Sequence, residues 1–108
     1  TRPAEGIGHA YYKYYAFVEP GMLAPGWDAT RINEAVNAEG VPCFAGSCSE
    51  IYRERAFTDR SWGPAQRLPV AQRLGETSLM FTVHPTLGER EMQDTVGAVA
   101  KVMRAATR

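Results

Sequence analysis

The sequence predicts an α+β domain of two layers, in which a small, mostly antiparallel sheet carries helices packed on one face. Residues 9–18 are rich in aromatic side chains and residues 78–83 form a short apolar run, and both patterns are typical of strands. A segment with helical apolar spacing ends the chain and predicts a long helix. The chain has 108 residues, 44% of them hydrophobic, which is enough for one domain with a single core.

Residues 9–18 form the predicted first strand. Alternation places His9, Tyr11, Lys13, Tyr15 and Phe17 on one face and Ala10, Tyr12, Tyr14, Ala16 and Val18 on the other. With helices covering one face of the sheet, we expect the other face of this strand to meet water or a missing partner. A lysine among tyrosines could make a platform for a phosphate or a base, but cross-strand aromatic packing is the favoured interpretation.

Local signals define the next elements. Asp28 can cap a helix over residues 29–39, and Gly40 is a natural stop for it. Residues 41–44 follow as a short strand. Pro42 has no amide hydrogen to donate, which predicts that this strand lies at an edge of the sheet or that the proline stands at its start.

The middle of the chain is predicted to be irregular. Ser49 and Glu50 can open a short helical turn that runs through Phe57. Residues 58–67 are polar and contain Gly and Pro, so we expect a mobile loop in which Trp62 anchors the packing.

Two helices and a strand complete the predicted order. Pro69 fits the first turn of a short helix that ends at Gly75, and the strand at 78–83 follows. Thr86 and Glu89 have capping-box spacing, which predicts a last helix beginning near Leu87. Its apolar face, expected to cover the sheet, consists of Met92, Val96, Val99 and Met103.

Composition and charge exclude several classes of protein. Lysine plus arginine and aspartate plus glutamate are 12 each, so the chain has no charge excess to draw it to nucleic acid or to an anionic membrane. No apolar run approaches the roughly 20 residues that span a bilayer, and the start lacks the apolar core of a signal peptide. We expect a cytoplasmic protein. Because the chain opens on Thr1 and not on methionine, we also expect it to be part of a longer chain.

The chain alone carries no recognisable catalytic motif. Cys43 and Cys48 are expected to be reduced thiols, and no metal site is predicted, because a zinc site with His9 or His84 would need ligands from separate segments without a Cys-x-x-Cys pair. Cys48 with either histidine could form a nucleophile and base. Nothing in the spacing brings them together, so structural roles are favoured.

Four segments together resemble a known family. Residues 9–15 (HAYYKYY) look like a strand entering a small domain, 27–31 (WDATR) like the start of its next helix, and 68–71 (LPVA) with 79–87 (LMFTVHPTL) like its terminal strand and helix start. In this order and spacing they resemble the C-terminal end of the DegT/StrS sugar aminotransferases, over almost the whole chain. Those enzymes depend on pyridoxal 5′-phosphate (PLP) and have the aspartate-aminotransferase type of fold.

The resemblance implies a function for a complete enzyme. The enzyme would transfer an amino group, from glutamate, to a nucleotide-linked keto-sugar for polysaccharide or lipopolysaccharide biosynthesis, and would act as a homodimer. PLP would be held by a lysine of the large domain. Lys13 and Lys101 do not look like that lysine. We therefore expect residues 1–108 alone to be an inactive partner of the large domain, without PLP, and to be monomeric or only weakly associated.

The resemblance also points to a substrate contact. Residues 40–57 match a family loop that usually carries His-Tyr and, later, Pro-x-His. Here Gly46-Ser47 and Tyr52 stand at the usual histidine positions, so an imidazole contact cannot be carried over. A variant substrate pocket is implied, and the residues expected at its edge are Ser47, Cys48, Ser49 and Tyr52. The alternative is that they only cap a helix and fill the core.

Two other functions remain open at this point. A relative in the same family could keep PLP and catalyse a dehydration. A free-standing α+β module could instead bind a small ligand directly through the aromatic strand and the loop at 46–52.

Overall fold

The computed structural model describes residues 3–108, and Thr1, at which we expect a longer chain to have been cut, lies outside them. Two 3₁₀ turns, Pro20–Met22 and Ile51–Arg53, accompany three strands and four helices. The strands are β1 (Lys13–Phe17), β2 (Cys43–Ala45) and β3 (Ser78–Thr82); the helices are α1 (Ala29–Ala38), α2 (Arg55–Thr58), α3 (Pro69–Thr77) and α4 (Glu89–Ala106). The predicted α+β class is confirmed.

The three strands form one antiparallel sheet in the order β1-β3-β2. β2 is an edge strand, as Pro42 predicts. Asn37 of α1 covers its outer edge, since its side-chain amide donates to the Cys43 carbonyl oxygen at 2.7 Å and accepts from the Cys43 amide at 3.2 Å. An edge strand that would otherwise expose free backbone groups is therefore satisfied by a side chain.

The first strand is shorter than predicted, because it begins only at Lys13. Tyr11 has a φ of 46°, in the left-handed region, which ends the extended conformation before that point. Within the strand, Tyr14 lies opposite Phe81 and Tyr15 opposite Met80. The register places Tyr14 beside an aromatic residue of β3 and Tyr15 beside a methionine, and both tyrosines remain partly exposed, at 53% and 37%.

Helix α1 begins and ends where local signals predict. The Asp28 carboxylate accepts a hydrogen bond from the Arg31 amide at 2.8 Å, and Gly40 has a φ of +85° just after the helix. Ile32 and Val36 are fully buried and form the centre of the core with the sheet. The helix therefore covers one face of β2 and β3.

The predicted apolar face of α4 is correct only in its second half. Val99 and Met103 are partly buried and pack against the core, whereas Met92 and Val96 are 44% and 68% exposed. The buried line consists instead of Ala98, Val102 and Ala106, and α4 packs mainly against α1. Small alanines allow two helices to approach closely, which apolar spacing alone does not reveal.

Helix α4 also begins later than predicted. Thr86 and Glu89 do not form a capping box, because the Thr86 hydroxyl pairs with His84 Nδ1 at 2.7 Å. Gly88 is the N-cap, and its amide donates to the Glu91 carboxylate at 2.8 Å. Only one half of a capping box is present, two positions further on, because glycine has no side chain to accept a hydrogen bond from the helix.

Three further expectations for the middle of the chain differ from the structure. Helix α3 continues past Gly75 to Thr77, and this glycine has a packing role: a Cβ there would lie 2.4 Å from Ser49 Oγ. Trp62 does not anchor the loop, since it is 67% exposed with the Arg60 guanidinium 5.0 Å above its ring. The helical turn predicted from Ser49 is interrupted and forms one 3₁₀ turn and α2.

Within residues 3–108, no helix combines the length and the apolar character needed to cross a membrane.

Candidate functional site

The loop after β2 is held against the sheet at its start. The Gly46 amide donates to the Ser78 carbonyl oxygen at 3.3 Å, and the hydroxyls of Tyr15 and Ser47 are 2.5 Å apart. A Cβ on Gly46 would lie 1.9 Å from Ser78 Oγ, so no side chain fits at this position. The close approach of the two segments therefore requires glycine at position 46.

Three of the four predicted site residues lie together. Ser47, Cys48 and Ser49 line a surface depression of about 390 Å³. Three charged residues complete its wall, namely Glu50, Arg53 and Glu54. Hydroxyl, carboxylate and guanidinium groups at one depression can both donate to and accept from a polar ligand such as a sugar.

Tyr52, the fourth predicted residue, faces a different cavity, of about 720 Å³. Its hydroxyl donates to Glu50 Oε1 at 2.7 Å and accepts from the Leu68 amide at 3.0 Å. Both interactions hold the 3₁₀ turn against the start of α3. Tyr52 therefore does not line the depression, and its hydroxyl instead supports the segment that does.

Glu50 joins the residues around the depression through several polar contacts. Its carboxylate accepts from Arg67 Nε at 2.7 Å and Nη2 at 2.6 Å, and Arg53 Nη1 lies 3.5 Å away. The hydrogen bonds from Arg67, and then that from Tyr52, lower the pKa of Glu50 to about 2. Glu50 raises the pKa of Arg67 in return, so the pair stays charged over the whole neutral range.

Sequence reasoning missed Glu50 and Arg67. The two residues are 17 positions apart and come together because the segment between them folds back on itself. A carboxylate and an arginine in polar segments carry no sign of such a pairing.

Cys48 is not arranged as a nucleophile. Its thiol lies 3.5 Å from Glu54 Oε1, and burial, followed by the hydrogen bond to Glu54, raises its pKa. The thiol is therefore protonated at neutral pH, whereas the thiolate is the reactive form. His9 and His84 each bond a residue two positions along the chain and contact no cysteine.

The other cysteine, Cys43, is buried in the core, and both thiols are free. Among residues 3–108, no three His, Cys, Asp or Glu side chains are grouped as metal ligands.

Neither lysine of the chain fits the role of a PLP lysine. Lys101 makes an ion pair with Glu39 at 2.6 Å on the outside of α4. Lys13 lies at the start of β1 with its ammonium 5.5 Å from the centre of the Tyr12 ring. Neither residue lines the two cavities described above.

Comparison with solved structures relates this fold to a known enzyme. Over 90% of its length the chain is similar to an aminotransferase from Psychrobacter cryohalolentis solved by X-ray crystallography, with a TM-score of 0.85 and 52% sequence identity. The chain is similar to part of an aminotransferase. It spans 25% of the length of that chain. No protein-family model matches the sequence, and no curated protein matches it.

Proposed function

We propose that this chain is the small C-terminal domain of a PLP-dependent aminotransferase of the DegT/StrS family. The observation that carries the proposal is the 52% identity with the Psychrobacter aminotransferase over 90% of the chain. The DegT/StrS assignment rests on the family-like segments at 9–15, 27–31, 68–71 and 79–87. The complete enzyme transfers an amino group from glutamate to a nucleotide-linked keto-sugar.

In this proposal the chain contributes to substrate binding and not to the chemical step. PLP in the complete enzyme supplies the electron sink for transamination. Since Lys13 and Lys101 are placed elsewhere, the lysine that holds PLP belongs to a large domain. Ser47 and Ser49 lie at the edge of the sugar site and offer hydroxyls to it.

The half-exposed aromatic residues of the sheet support the presence of a large domain. On the face away from α1, Tyr15 and Phe44 flank Met80 on the two neighbouring strands and are 37% and 47% exposed, and Phe17 is 56% exposed. A contiguous apolar surface of this kind is typical of an interface.

The test measures both halves of the reaction in a longer polypeptide that contains this chain. With Ser47→Ala and Ser49→Ala, we expect the KM for the keto-sugar to rise about 3- to 10-fold per lost hydrogen bond. The glutamate half-reaction, followed through the cofactor absorbance, should not change. Thr86→Ala, in the loop before α4, is the control and should leave both unchanged.

Two results would contradict separate parts of the proposal. Unchanged KM values in both serine variants would remove Ser47 and Ser49 from the sugar site. A PLP-loaded protein that transfers no nitrogen from glutamate to any nucleotide keto-sugar would contradict the proposed reaction.

A further inference from the structure

One side chain of the sheet reaches the candidate sugar site from a distant strand. Tyr15 of β1 and Ser47 of the loop after β2 are 32 positions apart in the chain, and their hydroxyl oxygens are 2.5 Å apart. Strand β3 lies between β1 and β2, because the sheet order is β1-β3-β2. Since neighbouring strands are about 4.8 Å apart, the contact joins segments that are separated by about two strand spacings.

The register of the sheet directs Tyr15 toward this contact. Tyr15 lies opposite Met80 of β3, and Met80 lies opposite Phe44 of β2, so the three side chains share the face away from α1. Tyr15 is 37% exposed, whereas its neighbour Tyr14, on the other face, is 53% exposed. A tyrosine has only two side-chain torsions, so a partly covered ring can hold its hydroxyl in place at a small cost in entropy.

This contact decides where the Ser47 hydroxyl points. The backbone just before Ser47 is held close to the sheet, because the Gly46 amide donates to the Ser78 carbonyl oxygen. The χ1 torsion of a serine has three staggered positions. Among residues 3–108, Tyr15 is the only hydrogen-bond partner of the Ser47 hydroxyl, so this bond selects one of the three.

The Ser47 hydroxyl keeps the capacity to bind a ligand. A hydroxyl has one donor and two acceptor positions, and the bond to Tyr15 uses one of them whichever hydroxyl donates. Ser47 lines the depression, so its remaining positions are available to a polar group bound there.

The other two small residues of the depression are held by different means. The Cys48 thiol bonds Glu54, six positions further along the chain. Ser49 packs against α3, where a Cβ on Gly75 would lie 2.4 Å from its Oγ. Of these three residues, Ser47 is the one whose polar group is oriented by a side chain of the sheet.

We propose that Tyr15 is a positioning residue for the keto-sugar, because its hydroxyl fixes the rotamer in which Ser47 meets the sugar. Tyr15 does not line the depression and acts through Ser47. The identity of the ligand rests on the proposed function. The orientation of Ser47 rests on the contact alone.

The first test is a double-mutant cycle in a PLP-loaded longer polypeptide that contains this chain. Tyr15→Phe keeps the ring and removes the hydroxyl, and we expect the KM for the keto-sugar to rise about 3-fold, because three Ser47 rotamers become accessible in place of one. Added to Ser47→Ala, Tyr15→Phe should raise the KM no further, since no hydroxyl is left to orient. The glutamate half-reaction should not change. Tyr14→Phe, which removes a hydroxyl from the other face, is the matched control and should leave the KM unchanged.

The second test does not depend on turnover. The Hα–Hβ scalar couplings of Ser47, measured in the same polypeptide with labelled serine, report the populations of its χ1 rotamers. We expect one rotamer in the wild type and in Tyr14→Phe, and averaged couplings in Tyr15→Phe.

Two results would overturn the inference. The first is a set of Ser47 couplings that is the same in Tyr15→Phe and in the wild type. The second is an effect of Tyr15→Phe on the KM that is equally large with and without Ser47→Ala, because Tyr15 would then act by another route.

The inference and the proposed function can fail separately. If Tyr15→Phe releases the Ser47 rotamer in a PLP-loaded protein that transfers no nitrogen to a nucleotide keto-sugar, the proposed function alone is contradicted. If Ser47→Ala raises the KM of an active transaminase and Tyr15→Phe does not, this inference alone is contradicted.

Discussion

Glu50 shows how one residue organises the candidate site. Its carboxylate joins the 3₁₀ turn, through Tyr52, to the segment before α3, through Arg67. The same carboxylate reaches Arg53, which lies between the two cavities. Glu50 itself lines the smaller cavity, and its partners Arg53 and Arg67 line the larger one.

These contacts predict an acid-sensitive site. The pKa of Glu50 is lowered from 4.5 to about 2, so its contribution to stability is fully present above about pH 5 and is lost as the pH falls toward 2. We expect Glu50→Gln to be less stable than the wild type at pH 7 and to lack this part of the acid dependence. Glu34→Gln, on the exposed side of α1, should retain it.

The measurement is a carboxyl ¹³C titration of the protein, with urea unfolding of each variant at pH 7, 5 and 2.5. A Glu50 midpoint within the ordinary glutamate range, about 4.3, would show that the pairing with Arg67 does not persist in solution.

At the scale of elements, helix α4 is the informative case. Sequence spacing assigns its apolar face to Met92, Val96, Val99 and Met103, whereas the buried line is Ala98, Val102 and Ala106. Met92 and Val96, in the N-terminal half of the helix, are exposed within the described domain. In the proposed enzyme, these exposed apolar side chains fit a contact with the large domain.

Two valine substitutions distinguish the two faces. Val102→Ala removes buried methyl groups and leaves a cavity against α1, so we expect the free energy of unfolding to fall by about 2 kcal/mol. Val96→Ala changes an exposed position and should stay within about 0.5 kcal/mol of the wild type. Urea unfolding measures both. Equal effects, or a larger effect of Val96→Ala, would contradict the observed packing of α4.

Local signals account for the elements that were predicted well. The Asp28 cap, the Gly40 stop and the edge position of β2 each depend on a few neighbouring residues. The errors involve contacts between distant segments, such as α4 with α1 and Gly75 with Ser49. Apolar spacing and turn residues do not encode which distant partner a side chain meets.

The candidate site also contains residues that the sequence indicated and residues that it did not. The family resemblance directed attention to Ser47, Cys48 and Ser49, and these three residues share one depression. It also suggested Tyr52, whose hydroxyl is occupied by Glu50 and Leu68. The pairing of Arg67 with Glu50 was missed because both residues belong to segments that have no motif.

For the whole molecule, the proposed function implies a domain that contributes to substrate binding, while the chemical centre belongs to another domain. The similarity covers 25% of the Psychrobacter aminotransferase chain, and both lysines of this chain lie outside the cavities. In this account, catalysis requires the large domain to cover the aromatic face of the sheet and to hold PLP.

The most direct test of this claim compares PLP binding and transaminase activity in residues 1–108 and in a longer polypeptide that contains them. The substrates are glutamate and a nucleotide keto-sugar. The account predicts that only the longer polypeptide shows the visible absorbance of bound PLP and transfers nitrogen. PLP-dependent activity in residues 1–108 alone would contradict it, and so would a longer polypeptide that binds no PLP.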